Sequence, residues 1–295
     1  MERLVQCPLC HGDNLSAFLK VKDFSVSGEI FNISQCRDCG LRFTNPRPGP
    51  EEIGKYYKFK DYVSHTDEGA TGFINWLYRR VRHITLRQKE GWISTLLPNK
   101  GSLLDIGCGT GDFAGHMQRT GWKVEAVEPD EFAATKARAK HELTVFSEEH
   151  LQTTIQSYDA VTLWHVLEHV HALDERIRQF TRLVKRGGYL LIAVPNTEAN
   201  DAAYYREFWA AWDVPRHLYH FRSKVLRNRI EQAGFVCESE KALPFDPFYI
   251  AMLSEKYRSG KDRTLLGLWR GFGFWWKTFK SERGSSSKLF VFRKG

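Results

Sequence analysis

The sequence lacks any uninterrupted apolar run approaching the ~18 residues that a membrane-spanning helix needs. Its opening, "MERLVQCPLC", lacks the apolar stretch of a secretory signal, so a cytoplasmic location is expected. Cysteine is sparse, six in 295 residues, and in a reducing compartment these are not read as three disulfides. Acidic residues are the scarcer charge, 35 against 43 basic, for a formal net charge of +8. That balance favours anionic partners such as phosphates, nucleotides, nucleic acid or anionic lipid without choosing among them. What remains, at 42% hydrophobic residues, is an ordinary globular chain with enough length for one large or two modest domains.

Four of the six cysteines form two close pairs, Cys7-x2-Cys10 and Cys36-x2-Cys39, each on a tight turn marked by Pro8 or Gly40. Two such knuckles can set four thiolates tetrahedrally around zinc, and a closed four-thiolate site is structural because it leaves no open coordination position. The competing reading is four reduced, unliganded thiols. The 25 residues between the pairs accommodate a hairpin around "GEIFNISQC". A zinc ribbon is expected over residues 1–50, ending in the proline-marked "TNPRPGP".

Residues 102–113, "SLLDIGCGTGDF", run from an apolar strand into a turn carrying Gly107, Gly109 and Gly111, with a helix beyond. Alternate glycines let backbone pass close to a ligand, and the following helix N-terminus offers unpaired N–H groups. The next strand, in "WKVEAVEPD", ends at Glu128, where a doubly wound sheet places the carboxylate that meets ribose hydroxyls. Asp105 stands at the tip of the first strand, too early for that role.

This pattern resembles the class I S-adenosylmethionine (SAM)-dependent methyltransferases, through Asp105, Gly107, Gly109, Gly111 and Glu128. The resemblance implies that the three glycines line the methionine part of SAM and that Glu128 holds the ribose. The competing reading is a Rossmann-like fold binding another nucleotide. Strands in "SYDAVTLWHVLEHV" and "RGGYLLIAVPN" match the family's fourth and fifth, and "SSKLFVFRK" its inserted antiparallel last strand. The expected fold is α/β, a Rossmann-like seven-stranded sheet of order 3-2-1-4-5-7-6 with the small zinc ribbon ahead of it. Expected boundaries are a helical linker or lid at 51–98, with an aromatic stretch at 55–69, and a methyltransferase domain at 99–295 with an insertion at 246–285. "CPLC…CxxCG…TNPRP" ahead of the catalytic domain is similar to a narrower group of zinc-ribbon methyltransferases acting on sugars and other small metabolites.

Ligands of open α/β sheets bind at the carboxyl ends of the strands, which puts His165, Glu168 and His169 near the reacting centre. "VLEHV" also resembles ubiquinone-type O-methyltransferases, whose acidic residues and histidine organise a divalent metal. His165 stands here at one of the acidic positions, against that role, and Glu168 could equally cap the following helix. The stretch "WDVPRHLYHF", Trp212 to Phe221, is expected as a loop facing the acceptor. In the similar sugar C-methyltransferases a Glu-His pair supplies the base, whereas this chain reads Arg216-His217. His217, His165 and His220 are the candidate catalytic residues, since imidazole suits proton removal at neutral pH. Packing histidines are the bland alternative. Arg216, Tyr219 and His169 are candidates for substrate binding, Arg216 as an anion-binding fork. The expected cofactor contacts are Asp105, Gly107, Gly109, Gly111, Glu128, Glu149 and His165, and the expected zinc ligands are Cys7, Cys10, Cys36 and Cys39.

"TLLGLWRGFGFWWKTFK", residues 264–280, suits a lid or subunit contact, with peripheral membrane contact the alternative. The sequence reads as a SAM-dependent methyltransferase with structural zinc, acting on a small-molecule acceptor such as a nucleotide-linked sugar or glycan precursor. A quinone or lipid-like O-methyltransferase is the second reading. An rRNA methyltransferase is disfavoured because no NPPY-like motif follows the fourth strand, so a nucleic-acid partner is not favoured. A catalytically silent SAM-binding protein is the remaining class. Oligomeric state and acceptor identity stay open.

Overall fold

A computed structural model describes residues 1–57, 73–279 and 284–295, with side chains of the long first helix described from residue 80 onward. Most of the aromatic 55–69 stretch lies outside these residues. The chain begins with β1 (Leu15–Lys22), β2 (Ile30–Cys36) and β3 (Arg42–Thr44), then α1 (Phe73–Leu96). Strand and helix alternate through β4 (Ser102–Ile106), α2 (Asp112–Arg119), β5 (Lys123–Val127), α3 (Glu131–His141), β6 (Thr144–Phe146) and α4 (His150–Thr153). There follow β7 (Tyr158–Trp164), α5 (Leu173–Leu183), β8 (Val184–Pro195), α6 (Asn200–Tyr205) and the two-residue β9 (Tyr219–His220). The chain closes with α7 (Ser223–Glu231), β10 (Phe235–Ala242), α8 (Asp246–Ser259), α9 (Thr264–Thr278) and β11 (Ser287–Lys294).

Seven strands form one mixed sheet in the order β10-β11-β8-β7-β4-β5-β6. Read from its β6 edge, this is the expected 3-2-1-4-5-7-6. The central strands are parallel and buried on both faces, which is why "YDAVTLW" and "YLLIAVP" read as nearly continuous apolar runs. β11 runs antiparallel to both β8 and β10. Helix α5 shows how the faces are covered: Leu173, Ile177 and Phe180 recur at helical spacing and join the core beneath β7 and β8.

The N-terminal strands make a second sheet, β1-β2-β3-β9, with every pair antiparallel. Its fourth strand lies inside the stretch expected as a loop: Arg42 pairs with His220 and Phe43 with Tyr219. The two sheets share one core, in which Leu41, Phe43, Leu218, Tyr219 and Phe221 pack with Leu163, Ile192 and Phe290. Among the described residues no helix is long and apolar enough to cross a membrane.

Candidate active site

The glycine turn hangs from β5: the Gly107 N–H donates to the Val127 carbonyl at 2.7 Å. All three glycines have positive φ, +70° at Gly107, +56° at Gly109 and +78° at Gly111, a region that side chains disfavour. Their reasons for being glycine differ. A Cβ at Gly107 would lie 2.5 Å from the Val166 side chain, and one at Gly111 would lie 2.8 Å from Ala137 and Leu143. A Cβ at Gly109 would meet nothing within 4 Å. Gly107 and Gly111 are packing positions, then, and Gly109 faces the open space that a cofactor would occupy. The Gly109 N–H donates to Glu128 at 2.7 Å, and the Asp130 N–H donates to the other Glu128 oxygen at 3.0 Å. Burial raises the Glu128 pKa, against the opposing pull of those two N–H groups. Its fixed carboxylate beside an open glycine fits the cofactor's ribose. Glu149 is exposed just ahead of α4.

Behind the turn, Asp105 is buried, accepts from the Thr162 hydroxyl at 2.7 Å, and has its pKa raised to about 7 by burial. Lys89 reaches over this region from α1. Its ammonium lies 4.0 Å from the Trp164 ring centroid and 5.7 Å from that of Phe113. Burial lowers its pKa to about 8, with Asp105 and Asp246 pulling the other way. Among the described residues it makes no ion pair or hydrogen bond; it is half-buried, and its contacts are with the Trp164 and Phe113 rings. Nothing in the sequence separates Lys89 from the neighbouring solvated cations of α1.

His165 follows β7 directly, in a left-handed conformation with φ 59°, its N–H bonded to the Ala193 carbonyl at 2.9 Å. The Gly107–Val166 contact sets it beside the glycine turn. Two carboxylates grip its ring: Nδ1 is 3.3 Å from Glu168 and Nε2 is 3.4 Å from Asp246, the first residue of α8. Burial alone would lower the His165 pKa, but the two carboxylates outweigh it and raise it to about 9. Glu168 is fully buried and neither of its oxygens has a hydrogen-bond partner. Burial would raise it, yet the His165 contact holds it below its ordinary value. Opposite, His217 Nε2 lies 4.0 Å from Glu168 and 3.9 Å from Asp213, while its Nδ1 bonds the Ala211 carbonyl at 2.9 Å. His169 completes the cluster, its ring edge-on to His217 at 4.7 Å and its Nδ1 within 3.0 Å of the Tyr57 hydroxyl and the Arg216 carbonyl.

With this geometry in hand, the family follows. A profile described as a methyltransferase domain matches residues 73–240, more than half of the chain. The chain belongs to the SAM-dependent methyltransferases. The ubiquinone biosynthesis O-methyltransferase of Methylocella silvestris is 28% identical over 159 residues, 49% of this chain and 62% of that protein's length. The protein of the same name from Hydrogenovibrio crunogenus is 28% identical over 174 residues, 53% of this chain and 69% of its own length. Among solved structures, magnesium protoporphyrin IX methyltransferase from Synechocystis PCC 6803, with bound SAH, superposes with a TM-score of 0.56. The identity is 15%, over 82% of this chain and 98% of that one. The [4+2]-cyclase SpnF superposes with a TM-score of 0.51 at 16% identity, over 84% of this chain and 98% of that one. Both likenesses are of fold.

The methyltransferase uses the stretch Trp212–Phe221 differently from the sequence expectation. Arg216 is no open fork: buried itself, it bonds the half-buried Asp213 at 2.6 Å, the buried Asp23 at 3.1 Å and the Tyr56 carbonyl at 3.1 Å. Its carboxylate partners raise its pKa further, overcoming burial. Tyr219 is buried too, its hydroxyl donating to the His171 carbonyl at 2.8 Å and accepting from Arg47 at 3.0 Å. His220 packs inside the N-terminal sheet with Nε2 3.1 Å from the Thr44 hydroxyl, and burial holds its pKa well below the ordinary value. These three are corrected from site residues to framework. His217 keeps one nitrogen toward Glu168, and His165 is the most open member of the cluster.

At the other end of the methyltransferase, the four N-terminal thiols converge. Cys7 and Cys39 Sγ are 3.6 Å apart, as are Cys10 and Cys36 Sγ, and all four lie within 4.8 Å of one another. Zinc–sulfur bonds of ~2.3 Å require tetrahedral edges of about 3.8 Å, so the donor set fits a closed thiolate site. Glu168, His169 and His217 also present donor atoms within 4.8 Å. Their 4.0 Å Glu168–His217 separation exceeds the roughly 3.4 Å edge of one small tetrahedral ion bound through nitrogen and oxygen.

Proposed function

We propose that this methyltransferase transfers the methyl group of SAM to a hydroxyl of a small, largely apolar acceptor, with His165 taking the hydroxyl proton. The observation that carries the reading is His165 itself, clasped between Glu168 and Asp246 at the end of β7 and next to the glycine turn. SAM supplies the activated, electrophilic methyl group, so the chain's own task is to bind, orient and deprotonate the acceptor. Gly109 would line the methionine part of the cofactor, Glu128 would hold its ribose and Lys89 its carboxylate. Neutral His165 accepts the acceptor proton at Nε2 as the hydroxyl takes the place of Asp246 there, while Glu168 holds the Nδ1–H, keeps the ring aligned and stabilises the imidazolium that forms. His217, fixed through Nδ1, stands behind Glu168. Four thiolates hold a structural zinc.

The acceptor class turns on Arg216. The sugar-nucleotide reading used it as an anion fork, and four of its five donors are spent on Asp213, Asp23 and Tyr56. A phenolic or quinol-like acceptor needs no such fork, and it accords with the names of the relatives above. The test is a screen of hydroxylated aromatics and sugar nucleotides with labelled SAM, alongside calorimetry of SAM binding. Methylation confined to sugar nucleotides would overturn the acceptor class; indifference to SAM would overturn the whole reading. Stimulation of activity by added Mg²⁺ would replace the proton network with a metal site.

A further inference from the structure

The outer face of α9 is apolar and faces solvent. Leu265, Leu268, Trp269, Phe272, Trp276 and Phe279 are all exposed, Leu265 by 83% and Trp269 by 71%. They recur at i, i+3, i+4, i+7, i+11 and i+14, so they lie along one stripe of the helix. The opposite face is already fully used. A Cβ at Gly267 would sit 2.5 Å from the Met252 Cα, and one at Gly271 would sit 2.7 Å from the Phe248 Cα, so α8 and α9 meet backbone to backbone. Phe274 is buried among Tyr204 and Tyr205 of α6. Intramolecular packing accounts for the glycines and Phe274, and Phe272, Trp276 and Phe279 also touch the Trp275 ring, yet the outer edges of the stripe stay exposed.

Cations frame this stripe. Among the described residues, Lys256, Arg258, Lys261 and Arg263 are exposed at its leading end and Lys277 near its far end, against a single exposed acid, Asp262. Short helices with tryptophan and phenylalanine on one face and cationic flanks lie in the plane of a lipid interface, the rings among acyl chains and the cations on anionic headgroups. A second copy of the chain fits poorly, because a two-fold contact would bring the same set of cations against itself. We propose that α9 docks on an anionic lipid surface through Leu265, Trp269, Phe272, Trp276 and Phe279, with the flanking lysines and arginines on the headgroups. Docking is peripheral. The contact also orients the enzyme: Trp275 lies 6.4 Å from Phe248, two residues past the Asp246 that grips His165, so the membrane side is the α8 side of the active site.

The experiment is co-sedimentation of the full chain with vesicles of phosphatidylcholine alone and of phosphatidylcholine containing roughly a quarter phosphatidylglycerol. The wild type should pellet with the anionic vesicles, stay in solution with the neutral ones, and release as salt is raised. A Trp269→Glu/Phe272→Glu variant should lose at least about tenfold in partitioning while its thermal melt and its SAM affinity stay unchanged. Lys261→Glu/Arg263→Glu should weaken binding to anionic vesicles as well. Indifference of the wild type to anionic vesicles would overturn the proposal, as would equal partitioning by the Trp269/Phe272 variant. A wild-type dimer that the variant dissolves without any vesicle binding would assign the face to a second copy instead.

Discussion

The Thr44 hydroxyl donates a 2.8 Å hydrogen bond to the His217 carbonyl, joining positions 173 residues apart. Next to it, the Thr44 N–H donates to the Leu218 carbonyl at 3.0 Å, and the Leu218 N–H donates to the Glu168 carbonyl at 2.8 Å. Strand β3, which follows Cys39, thereby seats both His217 and Glu168. Stripping the metal with a strong chelator, or making Cys39→Ser, should lower turnover by up to about 10²-fold, the scale for a catalytic group displaced by an ångström. SAM affinity, measured by calorimetry, should change little. Thr44→Val should show the same split in milder form and Thr44→Ser should restore turnover. A parallel loss of SAM binding would mean general unfolding rather than loss of positioning.

Lys89 offers a second separation. Lys89→Met should weaken S-adenosylhomocysteine by about 1–3 kcal/mol, the range for a charge-assisted contact. It should leave 5′-methylthioadenosine, which has no amino-acid carboxylate, nearly unaffected. Equal weakening of both ligands would place Lys89 elsewhere.

Much of this was legible beforehand, and the boundary is physical. The sheet order could be read because buried parallel strands carry continuous apolar runs between turn residues, as in β7 and β8. The glycine turn and the cysteine pairs announce themselves by residue type and short spacing. Arg216 misled although its nearer partner, Asp213, stands three positions away: only the fold shows the side chain turned inward onto Asp213 and onto Asp23, 193 positions away. His220 misled for the same reason, its pairing to β3 being invisible locally. Lys89 and Asp246 were missed outright: each is one charge among several on a helix, and only the fold brings them to the cofactor turn and to His165.

The His165 titration has a defined sign. Its folded pKa is raised to about 9, so at neutral pH the ring is protonated and cannot accept a proton. Activity should rise with pH and level off as the ring deprotonates, with an apparent pKa no higher than about 9. Bound SAM, itself positively charged, should draw the value down toward neutrality. The same contact stabilises the fold fully below the ordinary histidine range and ceases to do so as pH rises through about 9. His165→Asn should abolish most turnover and flatten the alkaline part of the thermal-melt profile. A pH–rate curve unchanged in shape in the variant would remove His165 from the chemistry.

The glycines should part company in stability assays. Gly107→Ala and Gly111→Ala should each melt well below wild type without any ligand, because their new Cβ atoms would sit 2.5 and 2.8 Å from neighbours. Gly109→Ala should cost only the roughly 1 kcal/mol of left-handed strain, yet forfeit most of the thermal shift that SAM gives the wild type. Identical melts for all three would contradict the division between packing and cofactor positions.

Arg216→Ala should behave as an interior lesion. With Asp23 and Asp213 left facing each other without their cation, the loss should be on the order of 3–5 kcal/mol in urea unfolding. An intact fold with only a raised acceptor Michaelis constant would return Arg216 to the binding site.

The pairing of Arg42 with His220 and Phe43 with Tyr219 also dictates an order of assembly. As the chain leaves the ribosome, the two cysteine pairs emerge early and can come together at once. The outer edge of β3 must wait for two residues made some 175 positions later, and until then it is an unpaired strand open to misassociation. His217 is set down in the same event that covers that edge. Maturation thus ends with the stretch that carries His217: a nascent chain stalled before β9 would have its four clustered cysteines in hand and that stretch still unplaced.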